Sequence, residues 1–246
     1  MRYAVVSDIH GNTDALKAVI ADAADHGARD LLCLGDTVGY GAEPVACLET
    51  IGERAVAVVA GNHDHAAAGV LDLRWFNPAA RRAAVWTRGQ LDADHRRYVE
   101  GLPLLTTVDE ASLVHASPDR PEDWEYLLSE EDGLAAFASF TSRLCFVGHS
   151  HLPAVWSLGS SGPDHIGRFA AWPHRVRLQK GRRYLVNVGS VGQPRDHDAR
   201  ASYAVWDLEA RLVTIRRVPY DNGAAAEKIL AAGLPTVLAE RLAGGR

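Results

Sequence analysis

The sequence predicts an α/β fold in which a first half of alternating strands and helices is followed by a β-rich second half. Two observations carry this. Up to about residue 140, short apolar runs alternate with longer stretches of helical period, the pattern of βαβ units and a sheet with parallel strands. After His151 the runs follow one another with only Gly and Asp turns between them. Composition sets the frame: the 246 residues are 47% hydrophobic, and 26 Lys and Arg against 31 Asp and Glu give a net charge of −5. A disordered chain would be less apolar and less balanced in charge, and no apolar run reaches the roughly 18 residues of a membrane helix. Layered α/β folds reach this length around one core, so a single domain over residues 1–246 is expected.

Residues 3–7 read as the first strand, an apolar run that is too short for a signal-peptide core and leads into Asp8. Residues 14–26 place Leu16, Val19, Ile20 and Ala23 on one helical face, and Gly27 supplies the stop. A second strand is expected over 31–34, a second helix over 43–51 and a third strand over 55–60. Between His65 and Glu100 the text is rich in Ala and Arg, and Asn77-Pro78 and Leu91-Asp92 mark two helix starts. Buried strands follow at 112–115 and 144–147, with a helix over 130–140 between them. Further strands are expected over 153–158, 168–178, 183–188, 203–208 and 212–218, with turns at Gly159-Ser160-Ser161-Gly162 and Lys180-Gly181, and a last helix over 222–242. The β-rich half should supply a second sheet packed on the first. Cys33, Cys47 and Cys145 are far apart with no C-x-x-C spacing, which suggests neither a Cys-rich zinc module nor a disulfide framework; no targeting segment for export is expected, and a reducing cytoplasm is.

Five polar clusters each fall just after an expected strand: Asp8-Ile9-His10, Gly35-Asp36, Gly61-Asn62-His63-Asp64, Val114-His115 and Gly148-His149-Ser150-His151. In open α/β sheets ligands collect at the carboxyl ends of strands, so five strands could deliver these residues to one crevice. Side chains at i and i+2 of an extended segment share a face, which pairs Asp8 with His10 and His149 with His151. Adjacent glycines let the backbone turn sharply and approach an ion. The donors are nitrogen and oxygen without sulfur, a set suited to Mn, Fe, Zn, Co or Ni. Asp8, His10, Asp36, the amide oxygen of Asn62, His115, His149 and His151 are too many for one ion, whereas two ions sharing a carboxylate would use them all. A two-metal site holds its ions about 3.5–4 Å apart and activates a water for in-line displacement. Two divalent ions against two aspartates leave an excess positive charge that attracts a phosphate ester.

The ordered series D-x-H, G-D, G-N-H-D, H and G-H-x-H resembles the calcineurin-like metallophosphoesterases, a superfamily of dinuclear phosphatases, phosphodiesterases and nucleases. Asn187-Val188-Gly189-Ser190-Val191-Gly192-Gln193-Pro194-Arg195-Asp196 is similar to the late segment of a bacterial branch. The resemblance implies a four-layer α-β-β-α sandwich of two mixed sheets with helices on both outer faces. It implies two divalent ions, manganese foremost, with Asp8, His10, Asp36 and His151 on one, Asp36 bridging, and Asn62, His115 and His149 completing the other. It also implies hydrolysis of small phosphodiesters or phosphomonoesters, with His63 acting at the leaving side and Asp64 orienting its ring. The phosphoprotein phosphatase branch carries an arginine soon after G-D, where this chain reads Gly35-Asp36-Thr37-Val38-Gly39-Tyr40-Gly41, and a Glu in place of Asp64. Asp8-Ile9-His10-Gly11-Asn12 and the Val38-Gly39-Tyr40-Gly41 turn are instead similar to small bacterial phosphodiesterases or phosphatases.

Asn12 has two readings, a phosphate contact or a helix N-cap. Arg195 is a candidate phosphate clamp, against a surface salt bridge with Asp196 or Asp198. Trp124 and Tyr126 read as packed loop aromatics before they read as walls of a pocket. His26, His65, His95, His165, His174 and His197 are taken as solvated or hydrogen-bonded, the basic run 174–183 as a solvated hairpin, and Arg81-Arg82 and Arg96-Arg97 as surface charges. The expected partner is a small phosphate ester and no membrane, with nucleic acid open but not favoured. A nuclease and a non-catalytic protein-binding scaffold of the same fold are the alternatives, the second opposed by retention of His63 and all seven metal ligands.

Overall fold

In the first strand, β1 (Arg2–Val6), Tyr3 and Val5 face one way and Ala4 and Val6 the other, and all four are buried. A strand apolar on both faces must be covered on both, and this dictates the layering. Tyr3 and Val5 meet Leu113, Phe146, Val186 and Trp206 in a core between two sheets, while Ala4 and Val6 lie under Leu16, Val19 and Ile51. These last come from α1 (Thr13–Asp25) and α2 (Pro44–Arg54), the helices over the first sheet. The same alternation recurs in β6 (Leu144–Val147), where Leu144 and Phe146 point inward and Cys145 and Val147 pack with Ala136, Phe137 and Phe140, in and just after α6 (Glu130–Ala136). The result is the four-layer sandwich. The computed structural model describes residues 1–159 and 173–246, with the backbone of 162–166.

The remaining elements complete two mixed six-stranded sheets. The first contains β1 with β2 (Asp30–Cys33), β3 (Ala55–Val58), β9 (His174–Arg177), β11 (Ala201–Asp207) and β12 (Leu212–Val218), in the order β3-β2-β1-β11-β12-β9. The second contains β6 with β4 (Leu105–Val108), β5 (Ala111–Val114), β7 (Ala154–Gly159), β8 (Gly162–Ile166) and β10 (Arg183–Asn187), in the order β4-β5-β6-β10-β7-β8. β1, β2 and β3 run parallel, as do β5, β6 and β10, and their carboxyl ends are where the two sheets meet the polar clusters.

Four elements differ from expectation. Asn62–Ala68 is a helix, α3, where no element was assigned; Asp64 at its third position accepts from the Gly61 backbone N–H and starts it. The short edge strand β4 and the strand β8 were not foreseen. The last helix is two, α7 (Asn222–Ala231) and α8 (Thr236–Gly244), broken by Gly233 at φ +69° and by Pro235. The two helices begun at Asn77 and Asp92 are α4 (Pro78–Gln90) and α5 (Ala93–Glu100), each capped by the side chain at its start. Of the strand expected over 168–178, residues 168–172 lie outside the described residues, as do Ser160 and Ser161 of the expected turn and the His165 side chain. No helix among the described residues is long and apolar enough to cross a membrane. All three cysteines are buried and unpaired, and burial pushes the Cys33 thiol up to about 12.

Candidate metal centre

Each polar cluster sits where a parallel strand ends, and the loops are tied to one another by backbone bonds. Asp8 N–H donates to Gly35 O, His10 N–H to Asp36 O, Gly192 N–H to Asp8 O and Gly148 N–H to His115 O. Asp8, His10, Asp36, His149 and His151 all adopt φ between 51° and 64°, the left-handed region that non-glycine residues avoid. Such conformations cost about 1–3 kcal/mol each and persist only where the surrounding structure imposes them. Here they turn five side chains toward one point.

Two groups result: Asp8, His10 and His151, and Asp36, His115 and His149, all buried, with the ligand atoms of each group within 4.8 Å of one another. The tautomers follow from what holds each ring. His10 Nδ1 donates to Val38 O (3.1 Å), His115 Nδ1 to Leu34 O (2.8 Å) and His151 Nδ1 to Gln193 O (2.5 Å). A carbonyl can only accept, so the neutral rings of His10 and His151 present bare Nε2 lone pairs, and these lie 3.2 Å apart. Two bare lone pairs at that distance repel unless a cation lies against both. Asp8 Oδ1 is 3.2 Å from His151 Nε2 and has no hydrogen-bond donor of its own. In the second group His115 Nε2 lies 3.1 Å from His149 Nδ1 and 3.4 Å from Asp36 Oδ2, which is also 3.7 Å from His10 Nε2. Asp36 therefore faces both groups. The buried Asn62 Oδ1 has no partner either. These orphaned atoms, with the rings of His10, His115 and His151 fixed through Nδ1, fit divalent ions.

Charge follows the same logic. Burial opposes ionisation of Asp8 and Asp36, but the surrounding imidazoles outweigh it and hold both below the usual carboxylate range. Burial lowers His10, His151 and His149, the last to about 3 with help from His115. For His115 burial is overcome by Asp36 and Asp8, and the ring is pushed up to about 9.

A calcineurin-like phosphoesterase superfamily domain matches residues 1–211. The chain belongs to that superfamily. It is 39% identical over 248 residues to an uncharacterised protein, MJ0912, of Methanocaldococcus jannaschii, across 99% of this chain and 98% of that protein. Among solved structures it is similar to a metallophosphoesterase from Sphaerobacter thermophilus, with a TM-score of 0.86 and 40% identity over 100% of this chain and 99% of the other. It also shares the fold of the hypothetical protein PH1004 from Pyrococcus horikoshii, with a TM-score of 0.76 and 20% identity over 100% and 98% of the two chains.

Around these donor groups the other sequence candidates fall out differently. The buried His63 donates its backbone N–H to Asp36 Oδ1 (2.8 Å), and its ring packs against Tyr40, Phe76 and His10 at 4.4, 5.0 and 5.0 Å. Burial lowers its pKa to about 4, so the ring is neutral at pH 7. Asp64 does not orient it. Oδ2 and Oδ1 of Asp64 accept from the backbone N–H groups of Gly61 (3.0 Å) and Val38 (3.2 Å), and His63 Nδ1 has no partner. Asp64 therefore braces the start of α3 against the Tyr40 turn. Asn12 takes the N-cap position: Oδ1 caps α1 by accepting from Ala15 N–H, and Nδ2 donates to Gly192 O and to Tyr220.

Arg195 makes neither expected salt bridge, since Asp196 pairs with Arg217 and Asp198 with Arg200. Its Nη2 donates to Gln193 Oε1 (3.1 Å), its guanidinium lies 5.8 Å from the centre of the Tyr40 ring, and its Nε has no partner. Trp124 and Tyr126 do wall a pocket, a cleft of about 270 Å³ that Asn62, His63 and His149 also line. Tyr126 stacks on His149 with ring centres 4.1 Å apart. Sequence reasoning missed Trp75 and Phe76 on the same cleft; an isolated Arg-Trp-Phe between helices carries no periodic signal. Of the remaining histidines, His26 and His95 face Asp22 and Asp92 on their own helices, whereas His65 packs edge-on against Trp124 with a buried, unpartnered Nε2.

Proposed function

We propose that this protein is a dinuclear metal-dependent phosphoesterase acting on small phosphodiesters or phosphomonoesters in the cytoplasm, folded as one domain. The supporting observation is the pair of buried donor groups, with bare imidazole nitrogens 3.2 Å apart and Asp36 within reach of both. Asp8, His10 and His151 would hold one divalent ion, Asn62, His115 and His149 the other, and Asp36 would serve both. Manganese is the metal to try first, and a donor set without sulfur accommodates it along with Fe, Zn, Co or Ni. When bound, the two ions supply Lewis acidity and a hydroxide nucleophile at neutral pH.

The chain's own residues do the rest. His63, neutral and aimed into the cleft, offers a ring N–H to a phosphoryl or leaving oxygen, and its position is set by the Asp36 carboxylate and the rings of Tyr40 and Phe76. Arg195, with donors to spare and Tyr40 beneath it, is placed to grip a phosphate oxygen. A cleft of about 270 Å³ favours a small ester over a folded phosphoprotein. Three buried, unpaired thiols support a reducing compartment. The test is hydrolysis of bis-aryl and mono-aryl phosphates by Mn-loaded protein, with His63→Ala expected to lower kcat by about 10²- to 10⁴-fold while metal content is retained. Turnover intact in His63→Ala would remove His63 from the chemistry; no turnover with any metal would remove the proposal.

A further inference from the structure

We propose that the aromatic cleft is a nucleobase subsite, so that the substrate is a nucleoside ester of phosphate; as a statement about the substrate, this rests on the phosphoesterase reading. The cleft is continuous with the chemistry, because His63 and His149 line it together with Tyr40, Phe76, Trp124 and Tyr126. Beside them stands Trp75, 87% exposed, an indole that folding leaves in water at the edge of the cleft. Exposed aromatics clustered at a site mark a binding surface, and base–aromatic stacking is their commonest use toward a nucleotide.

Trp75 is also held in place. It ends a 3₁₀ turn, Leu73–Trp75, capped at its start by Asp72 Oδ1, which accepts from Arg74 N–H (2.8 Å). The far side of the turn is clamped by Arg81, whose Nε and Nη2 donate to Leu73 O and Arg74 O, both at 3.1 Å. These bonds fix the backbone from which the indole projects, so stacking has only the side chain left to order. The polar lining selects what is stacked. Asp72 and Asp123 contribute carboxylates, already neutralised in part by Arg74 (2.6 Å) and Arg120 (2.7 Å), and among the described residues the lining has no Lys or Arg. The lone pairs these carboxylates keep beyond their arginines accept from exocyclic amines and ribose hydroxyls, and with no free cation among the described lining residues nothing there binds a further phosphate. A nucleoside fits this end of the cleft; a polyphosphate tail does not.

The experiment compares adenosine 5′-(methyl phosphate) with ribose 5-(methyl phosphate) on Mn-loaded protein, alongside quenching of tryptophan fluorescence by adenosine alone. The nucleoside ester should have a kcat/KM higher by about tenfold, the gain residing in KM, and adenosine should quench. Trp75→Ala should erase the preference and the quenching, Trp75→Phe should restore most of the preference, and Arg81→Ala should reduce it by releasing the turn. Equal kcat/KM for the two esters without quenching overturns the subsite and leaves the hydrolytic reading intact. Quenching that depends on Trp75, with neither these esters nor the bis-aryl and mono-aryl phosphates hydrolysed, upholds the subsite and overturns the hydrolytic reading. Loss of preference in Trp75→Ala that Trp75→Phe does not restore also counts against stacking.

Discussion

Metal loading should expel a proton from His115. Three of the four imidazoles in the two donor groups are already neutral at pH 7, because burial lowers His10, His149 and His151. His115 is the exception: its Nε2 lies 3.4 Å from Asp36 Oδ2 and 3.9 Å from Asp8 Oδ1, and these carboxylates carry it, against burial, up to about 9. A ring that ligates through Nε2 cannot keep a proton there, so protons compete with the ion at every pH below about 9. The sign is therefore fixed: affinity falls as pH falls. Between about pH 6 and pH 8 the apparent affinity should rise about tenfold per unit, about 100-fold in all, or about 2.7 kcal/mol. Calorimetric titration with Mn in buffers of different ionisation enthalpy counts the proton directly, and about one should be released per chain. His115→Gln should bind more weakly but with a shallower pH dependence. Constant affinity across that range, with no proton released, would refute the assignment of His115 as the protonated member of the pair.

Two further outcomes are expected. In Gly148→Ala the new Cβ would run into Ser7 Oγ and stand 2.6 Å from Asp8 Oδ2, so the variant should lose about 1–3 kcal/mol in urea unfolding and most of its metal; a wild-type midpoint and metal content would show that the loop yields. Asn12→Ala should lose about 1 kcal/mol of stability through the α1 cap with KM for aryl phosphates unchanged, whereas a tenfold rise in KM without destabilisation would return Asn12 to the substrate.

What the sequence made legible were features with a local cause. The strands before Asp8, Asp36 and His149 stand out as short apolar runs, and Asn77 and Asp92 cap helices from their own side chains. The placement of the polar clusters at strand ends was visible for the same reason. Features set by tertiary contact were not. Gly61-Asn62-His63-Asp64 resembles a loop until Asp64 is seen to cap it, and an acidic neighbour of a histidine looks like its orienter until two backbone amides claim both oxygens. β4 is a four-residue edge strand held by pairing with β5, with no buried pattern of its own. Arg81 resembled a surface charge because its acceptors, the carbonyls of Leu73 and Arg74, belong to a turn with no sequence signature.

The donor groups draw on distant parts of the chain. His10 meets His151 across 141 residues, and His115 meets Leu34 across 81. Neither set of ligands exists until both sheets have formed and closed on each other. An ion can therefore enter only after the slow, long-range steps of folding are over, and it cannot guide them. Metal occupancy in a freshly made sample would then report the fraction of molecules that completed the whole topology, and would distinguish it from the fraction that merely collapsed.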